Sequence, residues 1–505
     1  MNALVALPVV GPLMAAALAL LASGRPRLQH AFTYLGSAVA VGAAVGLAVR
    51  VERSGAVSVH LGGWTPPLGI TLLADLFAVA VLCVAQLTAF AVLVFSAAHP
   101  ATARASRAFG PLYLVLIAGV SMSLLAADLF NLFVAFEIML SASYVLLTLG
   151  GAREQIRRSM TYVVISLFAS VLFITSLGLL YAAAGTVDMA QLSLRLAELP
   201  AGVRNALGLL LFVVFAIKAA VFPVFSWLPD SYPTAPAPVT AIFAGLATKV
   251  GVYALIRTQT LLFPRQEASQ FMLVLAGLTM VVGVLGAIAQ SDMKRILSFH
   301  IVSQIGHMLL GLALFSMAGL AGAVFFLLHQ IPVKTSLFLV EGIIEQRAGT
   351  SRLDRVGGLV ERLPLTAALF GLGALSLAGV PPLSGFVGKL ALLRASFESG
   401  AHAIGAVSLV VSVLTLFSMV KIWNGVFWGE PMGVPDRASA AFGPAARAAR
   451  PRSSRPDRTM LGAAAGCVAI TLLVAAAAGP VYRLSERAAE GLLDPAGPRR
   501  EAANR

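Results

Sequence analysis

A long apolar segment of the chain contains one lysine and is followed by several prolines. It reads Leu211-Phe-Val-Val-Phe-Ala-Ile-Lys-Ala-Ala-Val-Phe-Pro-Val-Phe-Ser-Trp-Leu-Pro-Asp230. Because Pro223 removes a backbone hydrogen-bond donor and disrupts a helix, the carbonyl groups around residues 214–219 are expected to lose their partners. Irregular backbone at membrane depth is tolerated only where it lines a wet cavity or is buried in protein. The segment therefore predicts a membrane-spanning helix that is interrupted beside Lys218.

A second interruption of the same kind lies in the other half of the chain, within the apolar run at 364–397. It reads Gly379-Val-Pro381-Pro382-Leu-Ser-Gly-Phe-Val-Gly-Lys389. Two interrupted helices in different halves of a chain, each with a lysine beside the break, are typical of transporters built from inverted repeats. The letters themselves show no repeat, and the lysine precedes the proline in one break and follows it in the other.

The rest of the chain is as apolar as these two segments. Of its 505 residues, 59% are hydrophobic and 11% are charged, and the mean hydropathy is +0.90. Soluble domains carry about 25% charged residues, and a spanning helix needs roughly 20 apolar residues, so we exclude a soluble globular protein. The apolar runs predict about fourteen spans. The predicted spans cover residues 3–23, 31–49, 70–97, 109–126, 129–150, 159–184, 204–227, 234–258, 269–290, 294–316, 319–343, 364–397, 402–428 and 459–480.

The predicted fold class is an all-α polytopic membrane protein with about 14 transmembrane helices. We expect two inverted five-helix repeats, over spans 4–8 and 9–13, with discontinuous helices at spans 7 and 12. The predicted organisation comprises an N-terminal three-span region (1–108), a first repeat (109–258), a second repeat (269–428), a basic cytoplasmic linker (429–458), a last span (459–480) and a flexible tail (481–505).

The net charge of +14 comes mostly from arginines in short loops between apolar runs. No basic face with interleaved aromatic residues is visible, so nucleic acid is not an expected partner. With the N-terminus outside, the inner loops hold 19 Lys and Arg residues, the outer loops hold 6, and the outer C-terminal tail adds five more. Because positive charge is enriched on the cytoplasmic side, the sequence predicts that both termini lie outside.

Covalent chemistry has no visible basis in this sequence. Cys83 and Cys467, the two cysteines, both lie inside apolar runs and form neither a metal-ligand spacing nor a redox pair. A Gly-rich phosphate loop, a Ser/His/Asp arrangement and an iron–sulfur cysteine set are all missing from the sequence. We therefore expect no cofactor, no bound metal and no enzymatic activity of this chain alone.

Ionisable side chains nevertheless occur near the centres of the central spans, where a charge costs about 2.5–3.5 kcal/mol on insertion scales. These residues are Glu137, Lys218, Lys249, His300, His307, His329, Lys334 and Lys389. For any one of them a static ion pair, or a lysine that reaches the interface, is an alternative. Proton movement requires a series of groups that can each hold and release a charge, so the set as a whole predicts a proton path.

Glu137 lies in an otherwise apolar span that has no cation of its own, and it therefore needs a partner from another helix. Lys218 is the candidate. In the predicted switch Lys218 keeps its proton when the two side chains approach and can release it when they separate. A permanent structural pair is the alternative.

Four other ionisable residues are weaker candidates. Asp75 is placed near the outer end of its span, where it could form an ion or proton entrance or simply a satisfied end-of-helix carboxylate. Glu341, Arg394 and Lys421 fall nearer the ends of their spans, where a long side chain that reaches the interface is the default expectation.

The segments around these residues resemble the proton-channel motifs of the antiporter-like membrane subunits. The motifs are Asp128-Leu-Phe-Asn-Leu-Phe-Val-Ala-Phe-Glu137, Lys218-Ala-Ala-Val-Phe-Pro223, Ser226-Trp-Leu-Pro-Asp230, Ala235-Pro-Ala-Pro-Val-Thr-Ala241, Lys249-Val-Gly-Val-Tyr-Ala-Leu-Ile-Arg257 and the break that ends at Lys389. That superfamily includes subunits of respiratory complex I, of membrane-bound hydrogenases and of multisubunit Mrp sodium/proton antiporters. The resemblance extends from Met1 to about residue 480. Within the superfamily, Gly62-Gly-Trp-Thr-Pro-Pro-Leu-Gly-Ile70 resembles the D-type Mrp subunits.

The resemblance implies one half-channel around Glu137, Lys218 and Lys249, a link through the histidines and Lys334, and a second half-channel around Lys389. It implies a proton-translocating subunit of a multisubunit cation/proton antiporter in a bacterial plasma membrane. The implied partners are the other subunits of the complex, protons and a monovalent cation, with Na⁺ expected. A proton-pumping subunit of a redox enzyme and an autonomous solute carrier are the alternatives.

The chain departs from the family pattern at one position. Such subunits often have a histidine four residues before the lysine of the eleventh span, and this chain has Gln330 there. His329 lies five residues before Lys334, about 140° away around an ideal helix. A relay between these two residues therefore depends on a distortion of the helix at Pro332.

Overall fold

The structure is a computed structural model that describes residues 3–64, 69–104, 106–149, 151–263, 269–430 and 457–494. Most of these residues are helical, because a helix satisfies its own backbone hydrogen bonds in an apolar environment. The helices of the first half are α1 (Ala3–Leu21), α2 (Pro26–Ser54), α3 (Leu76–Ala98), α4 (Pro100–Arg104), α5 (Ser106–Leu125), α6 (Leu129–Thr148), α7 (Arg153–Ala184), α8 (Met189–Glu198), α9 (Ala201–Ala219), α10 (Trp227–Ser231), α11 (Ala237–Ile242) and α12 (Thr248–Leu261).

The second half continues the helical pattern. Its helices are α13 (Ser269–Ala289), α14 (Met293–Ala313), α15 (Met317–Ala348), α16 (Leu359–Arg362), α17 (Pro364–Ala378), α18 (Ser384–Glu398), α19 (His402–Trp423), α20 (Arg458–Ala476) and α21 (Ala478–Leu493). Short 3₁₀ and π-helical segments complete the set at Tyr232–Thr234, Phe243–Ala247 and Asn424–Trp428. One antiparallel hairpin, of β1 (Val57–Leu61) and β2 (Ile70–Ala74), precedes α3. Residues 65–68 of the D-type motif lie outside the described residues.

The predicted number of spans agrees with this architecture. In the part of the chain that the structure describes, thirteen helical segments are long and apolar enough to cross a membrane. The fourteenth predicted span is the interrupted pair α17 and α18, neither of which is long enough alone. The all-α polytopic fold class is thereby confirmed.

Both predicted interruptions are present. Helix α9 ends at Ala219, the backbone of Ala220 is left-handed, and α10 begins only at Trp227. Helix α17 ends at Ala378, Gly379 has a φ of +90°, and α18 begins at Ser384. The peptide bonds before Pro223 and Pro382 are cis.

An internal repeat is visible in the backbone contacts. Asp128 bridges to Asp188 just as Asp292 bridges to Arg352, 164 residues further along the chain. The flanking hydrogen bonds keep the same offset of 164 residues. In the first unit, Leu129 N donates to Val187 O (3.0 Å) and Met189 N donates to Ala127 O (3.1 Å). In the second unit, the equivalent bonds run from Met293 N to Ser351 O (2.9 Å) and from Leu353 N to Ser291 O (2.9 Å). Because five spans separate the equivalent positions, the two units face opposite sides of the membrane. These contacts support two inverted five-helix repeats.

Helix α15 forms the centre of the molecule. It packs against α3, α11, α14, α17, α18, α20 and α21. Every residue from Gly319 to Ile344 is buried. The helix continues unbroken through Pro332, and it holds Lys334 at the middle of the protein.

The expected flexible tail over residues 481–505 is wrong for its first half, because α21 continues to Leu493. Its small and apolar residues recur at helical spacing within a charged sequence, which gives one face that can be buried. The buried residues are Ser485, Ala488, Ala489 and Leu492. On the opposite face Arg487 Nη1 contacts Glu52 Oε1 of α2 at 2.6 Å. The predicted basic linker at 429–458 lies almost wholly outside the described residues.

Candidate proton path

Glu137 on α6 and Lys218 on α9 are joined through a serine. Ser170 of α7 donates its hydroxyl hydrogen to Glu137 Oε1, and Lys218 Nζ donates to the same hydroxyl oxygen at 3.3 Å. The ammonium group also lies 5.0 Å from the ring centroid of Phe136, which is a cation–π distance. The sequence identified the two charged residues, but the expected direct pair is a bridge through a third side chain.

The interruption after α9 provides the polar surroundings of Lys218. The indole Nε1 of Trp227 donates to the carbonyl of Ile217 at 3.2 Å, so a side chain of the break satisfies one of the carbonyls expected to lose its partner. A cavity beside Lys218 is bounded by Tyr162, Ser166, Trp227 and Tyr232 and has room for about one water molecule. The rest of the lining is mostly apolar, so the broken helix lines a small cavity with a few polar groups at this depth.

Lys249 follows a local widening of the eighth span. Residues Phe243–Ala247 form a π-helical turn between α11 and α12, and such turns occur frequently at functional sites. Lys249 is buried, and its Nζ donates to the carbonyl of Ala244. Gly245 lies so close to Thr335 that a β-carbon there would collide with the threonine hydroxyl. Glycine thus allows the Lys249 turn to approach α15 beside Lys334.

Lys334 is fully buried, and its Nζ has no hydrogen-bond partner among the described residues. The charged groups that act on it are those of Lys249 and Lys389, so it lies between the two halves of the predicted path. The amide of Gln330, one turn earlier on α15, is also buried without a partner among the described side chains. Polar atoms of this kind are rare in protein interiors, and each requires an explanation.

The three histidines each use one ring nitrogen and leave the other without a partner in the described structure. His300 Nε2 lies 2.9 Å from Ser418 Oγ, and His307 Nδ1 lies 3.2 Å from the carbonyl of Ser303. The second nitrogens, Nδ1 of His300 and Nε2 of His307 and His329, have no partner. A ring with one anchored and one available nitrogen can accept a proton on one side and release it on the other.

His329 contacts the second interruption rather than Lys334. Its Nδ1 lies 2.8 Å from the hydroxyl of Ser384, the first residue of α18. Because α15 remains a regular helix at Pro332, the distortion that would turn His329 toward Lys334 does not occur. Its position places it between α15 and the Lys389 region.

Lys389 reaches back across the second interruption. Its Nζ donates at 3.0 Å to the carbonyl of Ala378, the last residue of α17. Gly379 is required there on two counts: its φ of +90° disfavours other residues, and a β-carbon would lie 2.9 Å from Lys389 Cδ. The order of lysine and proline differs between the breaks, but each lysine is associated with the carboxyl end of the interrupted helix, where a cation is favourable.

Two of the weaker candidates have structural partners. Asp75 accepts the Ala78 backbone N–H as the N-cap of α3 and forms a bidentate pair with Arg257, with Nη1–Oδ2 and Nη2–Oδ1 distances of 2.5 and 2.8 Å. Burial alone would raise the pKa of Asp75, but the guanidinium holds it below its ordinary value. Lys421 Nζ donates to the carbonyls of Ile288 and Gln290 at the end of α13. These contacts identify Asp75 as a satisfied end-of-helix carboxylate.

Sequence reasoning missed Ser170 and underrated Glu341. Ser170 gave no signal of its own, because serine is common in membrane helices, where its hydroxyl can bond to neighbouring groups. Glu341 could have been recognised from its spacing, since it lies two turns from Lys334 on the same face of α15.

The fold and this series of ionisable residues inside the helix bundle define a multi-pass membrane protein of the antiporter-like class. The chain belongs to the family described as NADH:quinone oxidoreductase/Mrp antiporter, TM, whose model matches residues 126–415. It is 41% identical to the D-type subunit of the Na⁺/H⁺ antiporter of Alkalihalophilus pseudofirmus OF4, over 98% of each chain.

Solved structures agree with this assignment. A chain in the structure of the Mrp complex from Dietzia sp. DQ12-45-1b superposes with a TM-score of 0.88 at 34% identity, covering 98% of this chain and 99% of that one. A chain of the membrane-bound sulfane sulfur reductase, an archaeal respiratory membrane complex, gives 0.85 at 25% identity over 99% of both chains.

Proposed function

We propose that the chain is the D-type, proton-translocating subunit of a multisubunit Na⁺/H⁺ antiporter in a bacterial plasma membrane. The observation that carries the proposal is the series of buried ionisable groups from Lys218 to Lys389, with the half-buried Glu137 beside Lys218, in a chain similar along its whole length to a D-type antiporter subunit. The chain acts as part of a secondary transporter, and the exchange itself involves no covalent chemistry.

The Glu137–Ser170–Lys218 bridge is the switch of the first half-channel. When the carboxylate and the ammonium share the serine hydroxyl, each stabilises the charge of the other. A rotation of Ser170 or a shift of α9 at its break separates the pair, and Lys218 then releases its proton toward Lys249. The positive charge on Lys218 is favoured in one arrangement and disfavoured in the other, and this difference couples helix movement to proton movement.

Lys334 and the histidines form the link between the halves. A proton at Lys249 repels one at Lys334, since both groups are poorly screened at this depth. His300, His307 and His329 provide the intermediate positions toward Lys389. Lys389 releases the proton where α17 and α18 are interrupted.

A membrane subunit of a redox enzyme is the second candidate, and the similarity to the sulfane sulfur reductase chain favours it. The two functions differ in what drives the protons. The purified complex of an antiporter should show no flavin or iron–sulfur absorbance, whereas a redox complex should show the absorbance of its redox cofactors.

Both termini are proposed to lie outside. The excess of Lys and Arg in alternate loops supports this orientation, and the contact of Arg487 with Glu52 puts the C-terminal helix on the same side as the α2–α3 connection. Phosphatase fusions after α2 and after α21 should both be active if the orientation is correct.

The test of the function uses the whole complex with Glu137→Ala, Lys218→Ala or Lys249→Ala. Na⁺-driven proton movement is measured in everted membrane vesicles and divided by the amount of assembled complex. Each variant should assemble and lose antiport, while Lys421→Met, which changes a half-buried cation outside the path, should retain it. Near-normal antiport by the first three variants would show that the series is a structural scaffold.

A further inference from the structure

Glu341 is a buried carboxylate that the path described above does not use. It lies on α15 with 1% of its surface exposed, and neither carboxylate oxygen has a hydrogen-bond partner among the described residues. The expectation that its side chain reaches the interface is wrong, because α15 is covered on all sides as far as Ile344. An ionisable group at this depth is costly, and it therefore suggests a function.

Two charged residues connect Glu341 to the surface. Lys294, near the start of α14, is 4% exposed, and it is close enough to Glu341 to interact with its charge. Lys294 Nζ also contacts Glu345 Oε2 at 2.7 Å, and the Glu345 side chain is 37% exposed. Glu341 and Glu345 are four residues apart and so lie one turn apart on the same face of α15. The exposed fraction falls stepwise from Glu345 to Lys294 to Glu341.

The same face of α15 continues from Glu341 to the centre of the protein. Lys334 lies seven residues earlier, which is two helical turns or about 10 Å along the axis. Lys334 is fully buried, and its Nζ has no partner in the described structure. The cluster thus stands between the membrane surface at the end of α15 and the one lysine of the path that lies at the middle of this helix.

We propose that Glu345, Lys294 and Glu341 form a proton inlet that connects the surface at the carboxyl end of α15 with Lys334. A proton taken up at Glu345 passes to Glu341 beside Lys294, and Glu341 returns to its ionised form when Lys334 accepts the proton. The ammonium of Lys294 stabilises the negative charge that remains on Glu341 after its proton has left. The inlet rests on the proposed function, since it supplies the link between the two half-channels.

The repeat supports a dedicated role. The positions 164 residues earlier, which correspond to Lys294, Glu341 and Glu345, hold Phe130, Leu177 and Tyr181. The cluster is therefore not a requirement of the helix packing that both units share, and it belongs to the second unit alone.

The experiment measures Na⁺-driven antiport of the assembled complex with Glu341→Gln, which keeps the shape and removes the proton site. Loss of a positioned proton-transfer group lowers a rate by about 100-fold, and we expect a loss of this order per assembled complex. Glu341→Asp should recover part of the rate. The matched control is Asp354→Asn, which removes an exposed carboxylate paired with Arg352 after the same helix.

A purely structural role for the cluster makes a different prediction. Replacing a buried ion pair with apolar residues is often neutral for stability, so Lys294→Met with Glu341→Leu should assemble. If the pair only holds α14 to α15, this double variant transports normally, and the inlet is refuted. Normal antiport by assembled Glu341→Gln would refute it as well.

Lys249→Ala, measured in parallel, separates the two proposals. An inactive Lys249→Ala beside an active Glu341→Gln rejects the inlet and leaves the proposed function intact. Activity of both variants rejects the proton path itself. Loss in both, with Asp354→Asn unaffected, supports the inlet.

Discussion

Replacing Ser170 with alanine is expected to slow antiport while leaving assembly intact. The variant removes the hydroxyl that accepts from Lys218 at 3.3 Å and donates to Glu137. A hydrogen bond to a charged group contributes about 1.5–3 kcal/mol. Because each 1.36 kcal/mol changes a rate tenfold, loss of one such contact during proton transfer lowers the rate by about 10- to 150-fold.

The assay is Na⁺-driven recovery of a pH-sensitive dye in everted vesicles, divided by the amount of complex. Ser170→Thr keeps a hydroxyl at the same position and should retain most of the rate. Ser176→Ala is the matched control: it lies on the same helix and is buried, and its hydroxyl donates only to the carbonyl of Leu172 at 2.6 Å.

Two results would refute this reasoning. If the assembled Ser170→Ala complex transports at the wild-type rate, the serine is not the connection between Glu137 and Lys218. If Ser176→Ala slows antiport equally, the loss comes from the packing of α7 and not from the bridge.

Three further predictions concern Gly379, Gly245 and Asp75. Gly379→Ala forces a β-carbon to within 2.9 Å of Lys389 Cδ at a φ of +90°. It should therefore destabilise the complex by about 1–2 kcal/mol, measured as a lower thermal midpoint. An unchanged midpoint with full antiport would contradict the expected backbone strain. Gly245→Ala should impair antiport because the new methyl group meets the Thr335 hydroxyl. Adding Thr335→Ala should restore the antiport rate. If the double variant is as slow as the single variant, the defect has another cause. Asp75→Asn leaves Arg257 without its charge partner and should lower the stability by roughly 3 kcal/mol, seen as less assembled complex. The antiport rate per assembled complex should stay unchanged. A lower rate per complex would assign Asp75 to the proton path.

The elements that sequence reasoning predicted correctly depend on local rules. Span lengths follow from apolar runs, and the two breaks follow from Pro223 and the Pro381-Pro382 pair. The helix at Ala478–Leu493 was missed because its charge density outweighed the small-residue spacing that decides its packing.

The missing parts of the site depend on which helices become neighbours. The bridging role of Ser170 requires α7 to pack beside both α6 and α9, and nothing within α7 encodes that arrangement. Counting along the chain predicts that Glu341 lies near a helix end. Its burial comes from the seven helices that surround α15, and these are brought together only by the tertiary fold.

The repeat shows how one scaffold acquires two different roles. Helices α7 and α15 have 32 residues each and occupy equivalent places, so Ser170 in the first unit corresponds to Lys334 in the second. By the same offset Glu137 corresponds to Ile301. The first unit therefore places a carboxylate and a hydroxyl beside the lysine of its break, whereas the second has no carboxylate at that position and carries a lysine in place of the hydroxyl.

Under the proposed function, this asymmetry determines where each half can receive its proton. Lys218 has an acidic partner whose approach or retreat changes its charge state, so the first half can switch on its own residues. Lys334 has no such partner at the equivalent site, and its nearest carboxylate along α15 is Glu341, two turns away. A link that must be recharged between cycles needs a carboxylate in communication with the surface, and the Glu345–Lys294–Glu341 cluster is the arrangement in the second unit that meets this requirement. The two units thus share helices, breaks and backbone contacts, and they differ in the side chains to which the proposal assigns proton transfer.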